Sequence, residues 1–190
     1  MAAQRRIPGT TPDPHDARSQ SHRAHAGAEA ERYFDRLNDV CARAGVAHVH
    51  RVSSHTKILR TLGRGRVEAI LTSASVVDAM GWMADGRAVA IEVKHVGVER
   101  LQSGAEAAWR LALSRIEPHQ LAMLAACDAA GGLALVVVIH GPDVYAVPWS
   151  AVHAAVQAGA ASLSRDDLAP HRCDPREPYL RRFLRPAPDR

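Results

Sequence analysis

Lysine is almost absent from this sequence. Among 24 Lys+Arg residues only Lys57 and Lys94 are lysines, and arginine supplies the rest. A chain with that bias fills ordinary surface positions with arginine, so each lysine invites a chemical explanation. Lysine is the compact, tunable point charge that can sit beside a phosphate or a metal-bound water. Cysteine is scarce as well. Cys41, Cys127 and Cys173 stand far apart, with no CxxC pair and no disulfide framework. They fit a reducing compartment, so a cytoplasmic location is expected, and no His-and-Cys signature surrounds any of them to suggest a thiol nucleophile. Long apolar runs are missing too. The longest, Leu133 to Ile139, falls far short of the ~18 residues of a membrane span and reads as a buried strand. No apolar stretch follows the early arginines, which argues against a signal peptide, and no membrane partner is expected.

With 190 residues the chain has room for one domain with a hydrophobic core, plus tails. Residues 1–25 carry Pro, Ser, Thr, Asp and Arg without apolar periodicity and read as a disordered N-terminal arm. Residues 26–160 hold the domain, and residues 161–190 read as a basic C-terminal tail. A net charge of +4 and a pI near 9.3 lean toward an anionic partner. The distribution says more than the total. Arg60, Arg64 and Arg66 lie in "RTLGRGR", and Arg172, Arg176, Arg181, Arg182, Arg185 and Arg190 crowd the C-terminal stretch. Such clusters can track a phosphate backbone, and a solvated loop with a solubilising tail is the plainer alternative.

Tyr33, Phe34, Leu37, Val40, Cys41 and Ala44 recur at helical spacing from about Gly27, with Gly45 as the stop. "VAHVHRVS" then reads as a strand, "HTKILR" and "GRGR" as a polar connection, and residues 67–77 as extended chain. "MADG" is a turn, with Asp85 and Gly86 at its corner, between two segments that pair as a hairpin. A helical region is expected over about 105–130, split by Pro118 and ended by Gly131 and Gly132. Two strands, "LALVVVI" and "DVYAVP", and a helix, "WSAVHAAVQAG", complete a mixed α/β domain with no internal repeat.

Pairing across that hairpin sets Asp78 against Glu92 at its mouth, and Glu92 and Lys94, two apart, leave one face of the sheet. Two carboxylates at close quarters repel unless a cation lies between them, and oxygen ligands with a few waters are what Mg²⁺ prefers. A nearby lysine can orient the water or neutralise charge developing on a phosphate. This is the equipment of a metal-dependent phosphodiesterase. An exposed cross-strand ion pair has the same sequence signature.

"SASVVDAMGWMADGRAVAIEVK" resembles the core of the RecU-type Holliday junction resolvases, within the PD-(D/E)xK nuclease superfamily. Gly27, Glu31, Asn38 and Gly45 match the family's opening helix, "HTKIL" the approach to its stalk, and "EPHQLAMLAACDAAGGLALVVVIHGPDVYAVPW" its His-Gln helix, Gly-Gly turn and closing strands. The likeness runs in order from Gly27 to Trp149. It implies a restriction-endonuclease-like core, a mixed central sheet flanked by helices, with residues 57–73 as a short protruding stalk. By the same resemblance Asp78 and Glu92 bind Mg²⁺, with Mn²⁺ as the alternative ion, Gln120 completes the metal shell and Lys94 is the catalytic lysine. Glu31 then supports the site from the first helix, although a carboxylate in a helix's first turn needs no such role. Lys57, Arg60, Arg64 and Arg66 would contact junction phosphates, and a homodimer would cut a four-way DNA junction symmetrically. The chain departs from the family at Val76, where a hydroxyl residue is usual, in extra sequence before Gln120, and in the shortness of its stalk. Another endonuclease of the superfamily, an inactive DNA-binding recombination factor and an α/β interaction protein are the alternative readings.

Overall fold

A computed structural model describes residues 14–52, 55–63, 66–73, 76–97 and 108–186, and the side chains of 29–52, 60, 76–97 and 108–186. The first helix, α1, spans Pro14–Arg43. Phe34, Leu37 and Cys41 form its buried stripe at three- and four-residue spacing. The helix begins well ahead of Gly27, so residues 14–25 are helical rather than an irregular arm; residues 1–13 lie outside the described residues. Gly45 ends this unit in the left-handed region, at φ +64°, where a side chain would be strained.

Strand β1, Ala47–Arg51, follows directly, with Ala47 and Val49 buried and His48 and His50 exposed. The next segment was expected as a polar connection. Instead β2, His55–Gly63, pairs antiparallel with β3, Arg66–Ser73, as a separate two-stranded sheet. The polar residues hid β2 because a ribbon outside the main core does not need the apolar alternation that marks a core strand. β4, Ala79–Met83, and β5, Ala88–Val96, form the expected hairpin. They join β1, β7 (Leu133–His140), β8 (Asp143–Pro148) and β10 (Arg172–Cys173) in a six-stranded sheet of order β1-β4-β5-β7-β8-β10. Only β5 and β7 run parallel, so the sheet is mixed.

The β5-to-β7 crossover departs from expectation. A short strand β6, Arg110–Ala112, and a 3₁₀ turn, Leu113–Arg115, stand where a helix was anticipated, before α2, Pro118–Ala129. Trp109, Leu111 and Leu113 are buried at alternate positions, a period of two that the alanines around them obscured. α3, Trp149–Gln157, is as expected. The stretch 161–190 is not a free tail, at least as far as residue 186. It contains β9 (Ser162–Ser164), which pairs with β6, then α4 (Arg165–Leu168) and β10, and it buries Leu168, Tyr179 and Leu180. A few widely spaced apolar anchors among many arginines escape a periodicity search. Buried Asn38 accepts a 2.9 Å hydrogen bond from the Tyr179 hydroxyl, tying α1 to this segment.

The sheet separates two cores. One packs Phe34 and Leu37 of α1 against Val49, Ala79, Ile91, Leu135 and Val137. The other packs Leu124 and Cys127 of α2 against Ala90, Val136 and Val138, with Trp149 and Val152 of α3. The fold is therefore α/β, a mixed sheet flanked by helices. Among the described residues no helix is long and apolar enough to cross a membrane.

Candidate active site

The β4–β5 turn fixes the register from which the site follows. Gly86 takes φ +84° at the corner, and Asp85 accepts hydrogen bonds from the Arg87 amide at 3.2 Å and from the Arg87 guanidinium at 3.0 and 2.7 Å. With Ala79 opposite Ile91, Asp78 arrives opposite Glu92. Its Oδ2 accepts the Val93 N–H at 2.8 Å, and its carbonyl accepts the Val52 N–H at 2.9 Å, so this carboxylate is held at the junction of β1, β4 and β5.

Alternation along β5 sends Glu92 and Lys94 to the α2 face, with Ala90. There Lys94 Nζ donates to Glu92 Oε1 at 2.6 Å and to Gln120 Oε1 at 3.2 Å. Gln120 is in the first turn of α2, and its Oε1 also accepts the Glu117 N–H at 2.9 Å. A helix-capping amide and a site residue are thus the same side chain, and the extra sequence before α2 does not carry Gln120 away from Lys94. Neighbouring His119 is exposed.

Glu92 is the unusual member. Only 1 % of it is exposed, and its Oε2 is buried without a hydrogen-bond partner. Burial is the main reason its pKa is raised to about 7. The hydrogen bond from Lys94 opposes that rise, and the negative charge of Asp78 adds to it. An orphaned carboxylate oxygen beside a second carboxylate is a costly arrangement for an unliganded protein. It fits a hard divalent cation. Asp78 and Glu92 are the oxygen donors available, the Gln120 amide oxygen can join them only by giving up one of the two hydrogen bonds it accepts, and such ions complete their shell with water. Among the described residues no group of three or more His, Cys, Asp or Glu side chains is placed to hold a metal ion, at this site or any other, so an ion here would rest on two carboxylates.

Glu31 does not join this group. Its carboxylate lies 3.1 Å from Arg51 Nη2, with more than half of the side chain exposed, and Arg51 also approaches Asp35 at 3.8 Å. Arg51 follows Val49 by two positions, so it faces α1 while Glu92 faces α2. Because α1 begins at Pro14, Glu31 is not a first-turn carboxylate either. Of the basic residues expected on DNA, Lys57 and Arg60 lie on β2 and Arg66 opens β3. Arg60 is exposed and opposite Glu68 in register, whereas Arg64 lies outside the described residues. The ribbon that carries them leaves the sheet after Arg51 and returns before Ala79, and those two residues are paired beside Asp78. In the C-terminal segment Arg172 pairs with Asp143 at 2.5 Å, and Arg182 donates to the carbonyls of Pro170 and Arg172. Arg172 thus ties the segment to β8, and Arg182 ties two stretches of the segment to each other. Cys41 and Cys127 are buried and Cys173 half-buried. Comparison with known proteins finds no matching family model and no matching curated protein.

Proposed function

We propose that this chain is a Mg²⁺-dependent, structure-selective DNA endonuclease of the RecU type, with a restriction-endonuclease-like core. It would nick four-way junctions symmetrically as a homodimer during recombination and repair. The observation that carries the reading is the convergence of Asp78, Glu92, Lys94 and Gln120 from two strands and a helix, with Glu92 Oε2 buried and unpartnered. Asp78, Glu92 and Gln120 would hold the metal, which when bound supplies an acidified water and positive charge against phosphate oxygens.

The chain's own groups account for the rest. Lys94 has three donors, and the two used on Glu92 and Gln120 aim the ammonium rigidly while leaving one for a phosphate oxygen. Its charge opposes the negative charge that grows on the phosphate as the attacking oxygen adds. The Val93 N–H fixes Asp78 so that it need not reorganise during the reaction. Selectivity for branched DNA is supported by the β2–β3 ribbon, whose basic residues issue from the strands that flank Asp78.

The test compares labelled four-way junction, linear duplex and single strand of matched sequence, with Mg²⁺ and with chelator, beside Lys94→Ala and Asp78→Asn. Paired symmetric nicks in the junction alone, reduced at least about a hundredfold in both variants, are expected. Cleavage of every substrate would make the protein a general nuclease of the same chemistry. Tight junction binding without cleavage in any metal would overturn the enzymatic reading.

A further inference from the structure

Trp82 is 52 % exposed, whereas the other large hydrophobic side chains of its sheet are buried or half-buried. Its ring stacks with His48, centroids 5.8 Å apart and planes 28° from parallel, and meets His50 at 5.9 Å in a tilted arrangement. Register explains the cluster: His48 lies across from Trp82 and His50 across from Met80. Gly81 lets the strands approach, because a Cβ there would collide with the His48 carbonyl. The same alternation joins the cluster to the candidate site. Asp78, Met80 and Trp82 leave one face of β4, the face from which Glu92 and Lys94 leave β5. Four residues of strand put Trp82 roughly 13 Å from Asp78. That is about four base steps at the ~3.4 Å rise of a nucleic-acid strand.

We propose that Trp82, with His48 and His50, is a stacking platform for an unpaired nucleobase of the strand whose phosphate the Asp78 group engages, so that the substrate class is DNA with unstacked bases beside the scissile bond. This rests on the nuclease reading for its catalytic consequence. The chemistry favours a base over a protein partner. The surface offers a flat indole edged by imidazoles whose nitrogens donate and accept hydrogen bonds, rather than the branched aliphatic side chains that would surround an apolar anchor. Stacking on an aromatic ring tolerates every base, which suits an enzyme that recognises DNA shape. The chain's net charge of +4 matches a polyanion.

The experiment is fluorescence titration of the full chain, in chelator, with a short oligothymidylate and with matched duplex. Trp109 and Trp149, the other two tryptophans, are buried, so quenching by single strand reports Trp82. Quenching by the single strand is expected in the native chain and is absent in Trp82→Phe. Trp82→Ala is expected to weaken single-strand binding roughly five- to a hundredfold, with Trp82→Phe close to the native chain. Unchanged binding by Trp82→Ala overturns the proposal. So does a dimer-to-monomer shift of that variant in sedimentation with monomer binding intact, because the patch would then join two copies. Absence of single-strand binding by the native chain overturns it as well. Cleavage with Mg²⁺ separates the two readings: quenching without any cleavage removes the nuclease and keeps the platform, and cleavage without quenching does the reverse.

Discussion

Along β5, Ile91 and Val93 turn toward α1 while Ala90, Glu92 and Lys94 turn toward α2. On the α1 side Ile91 and Val93 belong to one apolar cluster with Phe34, Leu37 and Leu180, and that face turns polar only further along, at His95. On the α2 side the apolar packing gives way after Ala90 to a buried carboxylate with an unpartnered oxygen. One strand therefore carries a face that stabilises the fold and a face that weakens it. On the proposed reading this costly group is retained for its chemistry, and the opposite face supplies the stability that tolerates it.

Breaking the apolar face should produce the largest change in stability. Leu37 is 1 % exposed, and Leu37→Ala removes most of a side chain from the apolar core. The expected loss is about 2–5 kcal/mol of unfolding free energy, read from urea denaturation, with cleavage retained under conditions where the variant stays folded. Equal losses of activity and stability would show that the two faces are not separable.

The polar face should respond to pH with the opposite sense from most carboxylates. Glu92 rises from an ordinary value of 4.5 to about 7 on folding. Between those values the native chain binds more protons than the unfolded one, so stability falls as pH rises through the window and levels off above it. The fall should be on the order of 1–3 kcal/mol. Thermal unfolding across that range checks it. Glu92→Gln should flatten the slope and abolish cleavage, and added Mg²⁺ at pH 8 should raise the melting temperature of the native chain but not of this variant. A slope that survives the substitution would move the titration to another group.

The β4–β5 hairpin and its Asp78, Glu92 and Lys94 were legible because turn chemistry and two-residue alternation are local rules, and the register they set is the observed one. Gln120 was reached through resemblance, and its geometry depends on where α2 starts, which Pro118 and Glu117 determine. Glu31 was reached through resemblance as well, and helix periodicity, which gives a residue's stripe but not the sheet face on which the helix packs, does not foretell that Arg51 pairs with its carboxylate. Trp82 was passed over although its signal was present: it shares parity with Asp78 along β4. The folded C-terminal segment was illegible because its anchors act singly. Leu168, Tyr179 and Leu180 each fill a gap made by distant elements, and nothing periodic announces them.

That segment returns to the hairpin at its far end, which yields the smallest effect. Asp85 Oδ2 accepts the Arg185 N–H at 3.1 Å as well as the Arg87 guanidinium, and Arg87 also donates to the Phe183 carbonyl. The Arg87 guanidinium, foremost among these partners, holds the Asp85 carboxyl well below its usual range. A depressed carboxylate contributes stability above its unfolded value of 3.8 and loses that contribution as pH falls below it, the reverse of Glu92 in both sign and window. The turn backbone is open to solvent but the Asp85 side chain is only 15 % exposed, so Asp85→Asn, which keeps the shape and loses the charge, should cost about 1 kcal/mol. Its mark should be local: amide hydrogen exchange at Arg185 should quicken, while the slope due to Glu92 and the cleavage rate stay as they were. If cleavage fell with the latch released, the C-terminal segment would be acting on the site through the hairpin register, and the two ends of β5 would form one coupled unit.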